Sequence, residues 1–361
     1  MKMGILGFPK VGKTTLFNLL TSLQVVTTKY SSGLVEPNVG IINVPDERLL
    51  RLSELFQPKR TVPAQIEYID IMGAAGGELR KSAYLASLRL TDALTHMVRA
   101  FEDKEIIHSE GEIDPRRDIA RMETELILAD LMVLESRLDR LEKTMKKVKQ
   151  KEDELEHEVL LRCKEALEGE TPLREIDFSP EEQKMLRGFG FLSEKPLLMV
   201  VNLGEDDLPH FDDYLEHLGL QEWEGRRRVG LCQVCSKLEM ELSQLEDEER
   251  EEFMQEMGIK ELSTERIIRT SYHLLELVSF FTYAGEEVKA WTVKEGTTAL
   301  KAAGQIHSDI ERGFIRAEVV PYDELIGLGS LAEARQRGLL RLEGKGYQVQ
   351  DGDVIYFRFS I

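Results

Sequence analysis

Apolar positions in the first part of the chain come in short runs, with amphipathic stretches between them. Residues 3–6, 40–44, 64–70, 95–101, 197–201 and 229–234 read as strands, some apolar throughout and some alternating. Residues 15–20 and 82–90 read as helices between them. Strand–helix alternation predicts an α/β fold, a mostly parallel sheet with helices on both faces.

Between the fourth and fifth of these strands the pattern changes. Residues 115–168 are highly charged and strongly helical. Ile127, Leu131, Leu134, Leu138, Leu141, Met145 and Val148 keep alternating spacings of four and three, a heptad seam. The seam fails at Glu152 and resumes at Leu155 and Val159, which predicts an antiparallel helical hairpin turning near residues 149–153. A third pattern begins at about Leu277, with strands at 289–293, 316–320 and 354–359 and a helix at 298–310. Turn signals at Gly344-Lys345-Gly346 and Asp351-Gly352-Asp353 complete a small α+β domain. The expected domains are an α/β domain from residues 1–112 and 196–276, an inserted helical hairpin at 113–195, and a terminal domain at 277–361.

Composition adds limits. The 361 residues are 42% hydrophobic, enough for folded cores in more than one domain. The net charge of -19 argues against a uniformly basic, nucleic-acid-coating protein, although a sum hides a local basic face. Three cysteines, Cys163, Cys232 and Cys235, are too few for a disulfide framework. Cys232 and Cys235 form a C-x-x-C without a second pair, so a structural role is expected rather than zinc. No apolar run reaches the roughly 20 residues of a membrane span, and the first six residues are too short for a signal peptide. No membrane partner is expected, and the expected compartment is the cytoplasm.

The sharpest chemistry follows the first strand. Gly7-Phe8-Pro9-Lys10-Val11-Gly12-Lys13-Thr14 fits the Walker A pattern G-x-x-x-x-G-K-[ST] at every fixed position. A strand before it and a helix from Thr15 after it are the context that the pattern requires. Gly7 and Gly12 permit backbone angles that turn main-chain N–H groups toward phosphate oxygens. The helix N-terminus adds its positive dipole end. The loop from Gly7 through Lys10, Val11 and Gly12 to Thr15 is therefore expected to hold a nucleoside triphosphate. Lys13 is the expected catalytic cation between the β- and γ-phosphates, and Thr14 the expected hydroxyl ligand of Mg²⁺.

Two further loops follow in the order such a site needs. Asp70-Ile71-Met72-Gly73 is a D-x-x-G at the end of a strand; Asp70 is the expected metal-side acid and the Gly73 N–H a γ-phosphate contact. Asn202-Leu203-Gly204-Glu205 follows the strand at 197–201. Ordinary GTPases resemble N-K-x-D here, with the acid accepting from guanine N1 and N2. Leu203 and Glu205 depart from that pattern, which weakens guanine selection and favours adenine.

Together these stretches closely resemble the YchF subfamily of Obg-related GTPases, also called Obg-like ATPases. The resemblance also covers Glu36-Pro37-Asn38-Val39-Gly40, Val44-Pro45-Asp46-Glu47-Arg48-Leu49 and Thr124-Glu125-Leu126-Ile127-Leu128-Ala129-Asp130-Leu131. Ser236-Lys237-Leu238-Glu239 is similar to the family's base-flanking motif, so Ser236 and Lys237 join Asn202, Leu203 and Glu205 as expected nucleotide contacts. Ala290-Trp291-Thr292-Val293, Gly313-Phe314-Ile315-Arg316-Ala317-Glu318-Val319 and Val349-Gln350-Asp351-Gly352-Asp353 resemble its terminal TGS domain. The resemblance implies a P-loop G domain, a coiled-coil insertion and a ubiquitin-like β-grasp TGS domain. It also implies binding of ATP (or GTP) with Mg²⁺, ATP preference, slow hydrolysis, and ribosome or RNA association through the TGS and coiled-coil domains.

The chain departs from the family pattern at three places. Lys10 replaces an Asn that in related proteins helps hold a monovalent cation, and its ammonium is a candidate substitute for that cation. Leu34 stands where a switch threonine is expected, with Thr28, Ser31 and Ser32 nearby. Ala74 stands where many GTPases keep a water-orienting Gln, so weak intrinsic turnover is expected. A slow hydrolase is therefore weighed against a nucleotide-sensing binding module with little or no hydrolysis, and against a guanine-specific switch. The acidic run 246–256 reads as a solvated helix face. Lys294, Lys301, Arg312, Arg316, Arg335, Arg337 and Arg341 supply either an RNA-binding face or ordinary surface charge.

Overall fold

A computed structural model describes residues 1–21, 37–70, 82–109, 111–147, 150–257, 259 and 261–360. The chain divides into two compact units, residues 1–40 with 67–270 and residues 41–66 with 271–361.

The first unit is built on a mostly parallel sheet. Its strands are β1 (Lys2–Leu6), β2 (Asn38–Asn43), β4 (Gln65–Asp70), β5 (Ala93–Arg99), β6 (Leu197–Asn202) and β7 (Val229–Val234), in the order β2-β4-β1-β5-β6-β7. The pairings β1–β4, β1–β5, β5–β6 and β6–β7 are all parallel. Every residue of β5 and β6 is buried; β6 accordingly reads as an almost continuous apolar run, while β5 also buries Thr95, His96 and Arg99. After β1 the chain passes to the edge strand β2, comes back to β4 beside β1, and then crosses to β5 on the other side of β1. The strand order therefore reverses at β1, and the loop at its carboxyl end is where such sheets bind ligands. Helices α1 (Lys13–Thr21), α3 (Ser82–Arg89), α8 (Ser236–Leu242), α9 (Asp247–Glu256) and α10 (Ser263–Leu274) belong to or lead out of this unit. None of the acidic residues of α9 is buried, as its composition predicts.

The helical insertion consists of α4 (Pro115–Met145) and α5 (Lys151–Glu168), followed by the short helix α6 (Pro180–Leu186). Asp114 caps α4 by accepting from the Arg117 N–H at 3.0 Å, with Pro115 opening the first turn. Ile127, Leu134, Leu138 and Leu141 are buried against Val159, Leu160, Cys163 and Leu167. Arg137 clamps Glu156 through two bonds of 2.6 and 2.7 Å. α4 ends at Met145 and α5 begins at Lys151, so the connection lies at the start of the expected 149–153 and just before it, and Glu152 and Asp153 already lie in α5. Leu155, expected in the seam, is 45% exposed and lies outside the hairpin's core cluster. Val148 lies outside the described residues. The first half of α4 is part of the sheet's own core, with Ile119, Met122 and Leu126 beside Leu94, Val98 and Leu197. The fully buried Asp130 accepts from the N–H groups of Leu192 and Ser193 at 2.9 and 2.7 Å and from Arg89 at 2.8 Å.

The second unit is an antiparallel-rich sheet in the order β11-β10-β12-β8-β9-β3. Its strands are β3 (Arg60–Val62), β8 (Leu277–Ala284), β9 (Glu287–Lys294), β10 (Phe314–Pro321), β11 (Arg341–Glu343) and β12 (Asp353–Phe359). Helices α11 (Ala299–Ile306), α12 (Ser308–Arg312), α13 (Tyr322–Leu328) and α14 (Leu331–Gln336) connect them. The central β12–β8 pairing is parallel, as in a β-grasp fold. The single helix expected at 298–310 is two helices. His307 is extended, with φ -164°, and its ring accepts the Asp309 N–H to cap α12. The sequence segment at 41–66 is also part of this unit. It contributes α2 (Glu47–Phe56) and the edge strand β3, which pairs parallel with β9 from Arg60↔Glu287 to Val62↔Lys289. Arg48 bonds Asp351 at 2.6 Å and Asp46 at 2.9 Å, and Phe56 stacks on Tyr283 at 4.2 Å. Among the described residues no helix is long and apolar enough to cross a membrane.

Candidate functional site

β1 ends at Leu6 and the chain enters the Gly7–Gly12 loop at the switch point of the sheet. Gly7 has φ 148°, and a Cβ there would sit 2.4 Å from the Met97 carbonyl oxygen of β5. Gly12 has φ 103°, and a Cβ there would meet the Asn202 amide nitrogen at 2.5 Å. Both positions need glycine for two reasons at once, conformation and close backbone approach. Lys10 adopts φ 64°, a left-handed conformation that Asn tolerates more readily than Lys, and it is exposed.

α1 begins at Lys13, and the Leu16 N–H makes the first helical bond, to the Gly12 oxygen at 2.9 Å. The preceding N–H groups of that turn, including those of Thr14 and Thr15, have no intrahelical acceptor and face the loop end of the helix. The Lys13 ammonium donates to the Gly7 and Phe8 carbonyls at 2.6 and 2.9 Å. The Thr14 hydroxyl donates to Asp70 Oδ2 at 3.0 Å. Asp70 is fully buried at the end of β4, and its other oxygen has no hydrogen-bond partner among the described residues. Burial raises its pKa, while Thr14 and Lys13 pull it back down. Lys13, Thr14 and Asp70 thus meet as the two motifs predict. Gly73, Leu34, Ala74, Thr28, Ser31 and Ser32 lie outside the described residues.

Asn202 joins the loops. It is 4% exposed; its Nδ2 donates to the Val11 oxygen at 3.0 Å, and its Oδ1 accepts the Ser236 N–H at 3.1 Å. One amide side chain therefore fastens the phosphate loop to the motif that opens α8. Glu205, at the start of the 3₁₀ segment Glu205–Asp213, pairs with Lys237 of α8. Glu239 of α8 accepts the N–H groups of Ser263 and Thr264 at 2.6 and 3.2 Å, fixing that helix to the start of α10. Leu203 departs from expectation. It is 2% exposed and packed in the sheet core with Leu220 and Trp223, so its side chain has no surface to offer a base.

Three residues of this region escape sequence reading. His96 of β5 is 1% exposed, and neither ring nitrogen has a partner among the described residues. Burial, reinforced by the Lys13 charge, pushes its pKa down to about 3. The unfolded value is about 6.5, so between these limits the unfolded chain binds the extra proton and stability falls as pH drops. Urea unfolding at pH 7.5 and pH 5 should therefore cost His96→Leu less on acidification than the unaltered chain. The difference is expected at up to ~1.4 kcal/mol per pH unit, and equal losses would refute it. Arg99, buried at the end of β5, donates to the Phe101 and Ile106 carbonyls, both at 3.0 Å. It folds back the segment that carries His108, whose ring lies 2.9 Å from Asp118 of α4. A lone His or Arg in an apolar run carries no sequence signal for such roles.

The cysteines are structural in their surroundings. The Cys232 thiol donates to Thr270 at 3.4 Å, Cys235 packs with Leu238 and Leu242, and burial raises both thiol pKa values. In the terminal unit Lys301, Arg312, Arg335, Arg337 and Arg341 pair with Glu311, Asp309, Glu318, Glu333 and Glu343, so much of the basic charge is locally neutralised.

Comparison with known proteins agrees with this geometry. A family model for the carboxyl-terminal domain of YchF GTPases, described as a protein of unknown function, matches residues 277–360. One described as a 50S ribosome-binding GTPase matches residues 2–152. The chain is 44% identical to the ribosome-binding ATPase YchF of Bacillus subtilis, covering 99% of both chains. It is 37% identical to Obg-like ATPase 1 of Caenorhabditis elegans, covering 100% of this chain and 92% of that one. The structure of the Schizosaccharomyces pombe YchF GTPase superposes with a TM-score of 0.87 at 32% identity, covering 99% of this chain and 97% of that one.

Proposed function

The chain belongs to the YchF family of ribosome-binding ATPases, and on that premise we propose that it binds ATP in preference to GTP, hydrolyses it slowly, and acts on the ribosome in the cytoplasm. The observation that carries the reading is the Asn202 link between the phosphate loop and the Ser236 motif. It sets a phosphate cradle and a base-reading surface on one framework. Lys13 exchanges its two loop carbonyls for β- and γ-phosphate oxygens, and the first-turn N–H groups of α1 meet the same phosphates. Gly73 is assigned the γ-phosphate contact on its motif alone.

Mg²⁺ fits the residues present. The Thr14 hydroxyl and the Asp70 carboxylate are hard oxygen donors 3.0 Å apart, and the buried second oxygen of Asp70 has no hydrogen-bond partner among the described residues. When bound, the ion neutralises phosphate charge. Lys13, Thr14 and Asp70 orient the chain's own donors around that charge.

Lys10 is proposed to replace a monovalent cation beside the phosphates. It is exposed on the left-handed turn of the loop. Exchanging Na⁺ for K⁺ is expected to leave ATPase activity unchanged, and a several-fold stimulation would overturn the assignment.

Ribosome binding is carried by the kinship with relatives that bear that name. Single-turnover cleavage of ATP, with and without ribosomes, tests the whole reading. Cleavage well below ~1 s⁻¹ alone, faster with ribosomes, is expected. No cleavage in either condition would make the chain a nucleotide-sensing module instead.

A further inference from the structure

Glu205 occupies the place where a guanine-reading loop carries its acid, but its carboxylate is not free. Oε2 is held by the Lys237 ammonium, across 32 residues of sequence. The two side chains are 40% and 68% exposed, so the pair lies at the surface. The backbone beneath is fixed on both sides. The Leu203 N–H donates to the Val234 oxygen at 2.8 Å and Ser236 is tied to Asn202, while Glu239 anchors α8 to the start of α10. Glu205 raises the Lys237 pKa through their hydrogen bond and charge attraction.

The chemistry of the pair differs from that of a lone acid. Guanine presents two adjacent donors, N1–H and the N2 amine, and a carboxylate reads them best with both oxygens available. Here one oxygen is engaged, and the neighbouring ammonium has donors only and no acceptor. A guanine N1–H brought to this pair meets a cation, and a donor left unpaired on binding is strongly penalised. Adenine presents an amine donor beside an acceptor nitrogen, which matches one carboxylate oxygen beside one ammonium.

Resting on the reading that this loop receives the base, we infer that Lys237 is a specificity-determining residue: by engaging Glu205 it disables guanine reading and favours adenine. Lys237 is exposed, so its removal does not threaten the fold. The effect should lie in the range that exposed charge pairs supply.

The test is competitive binding of ATP and GTP, each with Mg²⁺, to the full-length chain and to Lys237→Ala, Lys237→Met and Lys237→Ala/Glu205→Gln. In both single variants the ATP-to-GTP affinity ratio is expected to fall about two- to fivefold, chiefly through tighter GTP binding. Glu205→Gln in the Lys237→Ala background should cancel that gain, because the effect passes through the carboxylate. Raising ionic strength should lower the ratio in the unaltered chain and not in Lys237→Ala. An unchanged ratio in both single variants overturns the role of Lys237 and leaves the base assignment standing. A GTP preference in the unaltered chain overturns the base assignment and this inference with it.

Discussion

Lys13→Ala is expected to weaken ATP binding about 100-fold or more, the scale of losing several charge-assisted bonds. The fold should survive. The ammonium bonds the Gly7 and Phe8 carbonyls, which water can serve in its place. The affinity loss follows from geometry. The ammonium already sits inside the loop, held to the carbonyls of its first two residues, so it pays little entropy on meeting phosphate. Isothermal titration with ATP and Mg²⁺, beside far-ultraviolet circular dichroism as a folding control, measures both. Affinity within threefold of the unaltered chain would show that the phosphates bind elsewhere.

Asn202→Ala is expected to damage stability and binding together. The side chain serves two buried backbone groups, the Val11 oxygen at 3.0 Å and the Ser236 N–H at 3.1 Å. Its removal strands both, at about 1–3 kcal/mol each. For a unit of this size, a total of about 2–6 kcal/mol corresponds to a fall in Tm of roughly 4–24 °C. ATP affinity should fall at least tenfold, because the phosphate loop and the α8 motif are no longer held in one geometry. Gly12→Ala should reproduce the binding loss from the opposite side, its Cβ meeting the same amide at 2.5 Å. A Tm within 2 °C of the unaltered chain, with ATP affinity preserved, would dissociate the two loops and remove the observation on which the functional reading rests.

The parts of this molecule that could be read from the sequence are those set by local rules. β7 spans the expected residues, a short mostly apolar run interrupted only by Gln233 and preceded by three arginines. The phosphate loop was legible because each of its residues answers a chemical need within a dozen positions. Long-range pairings were not legible. Nothing local at 60–62 announces an edge strand paired with 287–289, since the partner lies more than two hundred residues away. β8 passed unnoticed as well, although its apolar residues fill the centre of the second sheet. Apolar periodicity alone reads the helix at 298–310 as continuous, although Gly304 stands close to the break. The cap that splits it is the ring of His307, a residue without a strong capping signal.

The site shows the same division. Asn202 and Lys13 were legible through motif spacing, but their partners were not. Asn202 looked like a base contact and proves to be a buried tie between loops. Leu203 looked like a base-flanking residue and is core, because the strand's inward face continues one residue past β6. The Glu205–Lys237 pair joins two motifs 32 residues apart, a contact that no local spacing announces.

Equilibrium binding of ATP and of GTP to the purified chain, each with Mg²⁺ and each repeated on Lys13→Ala, tests the central claim most directly. The account predicts tighter binding of ATP than of GTP, with both lost on removal of Lys13. A clear preference for GTP, or ATP binding that survives Lys13→Ala, would contradict it.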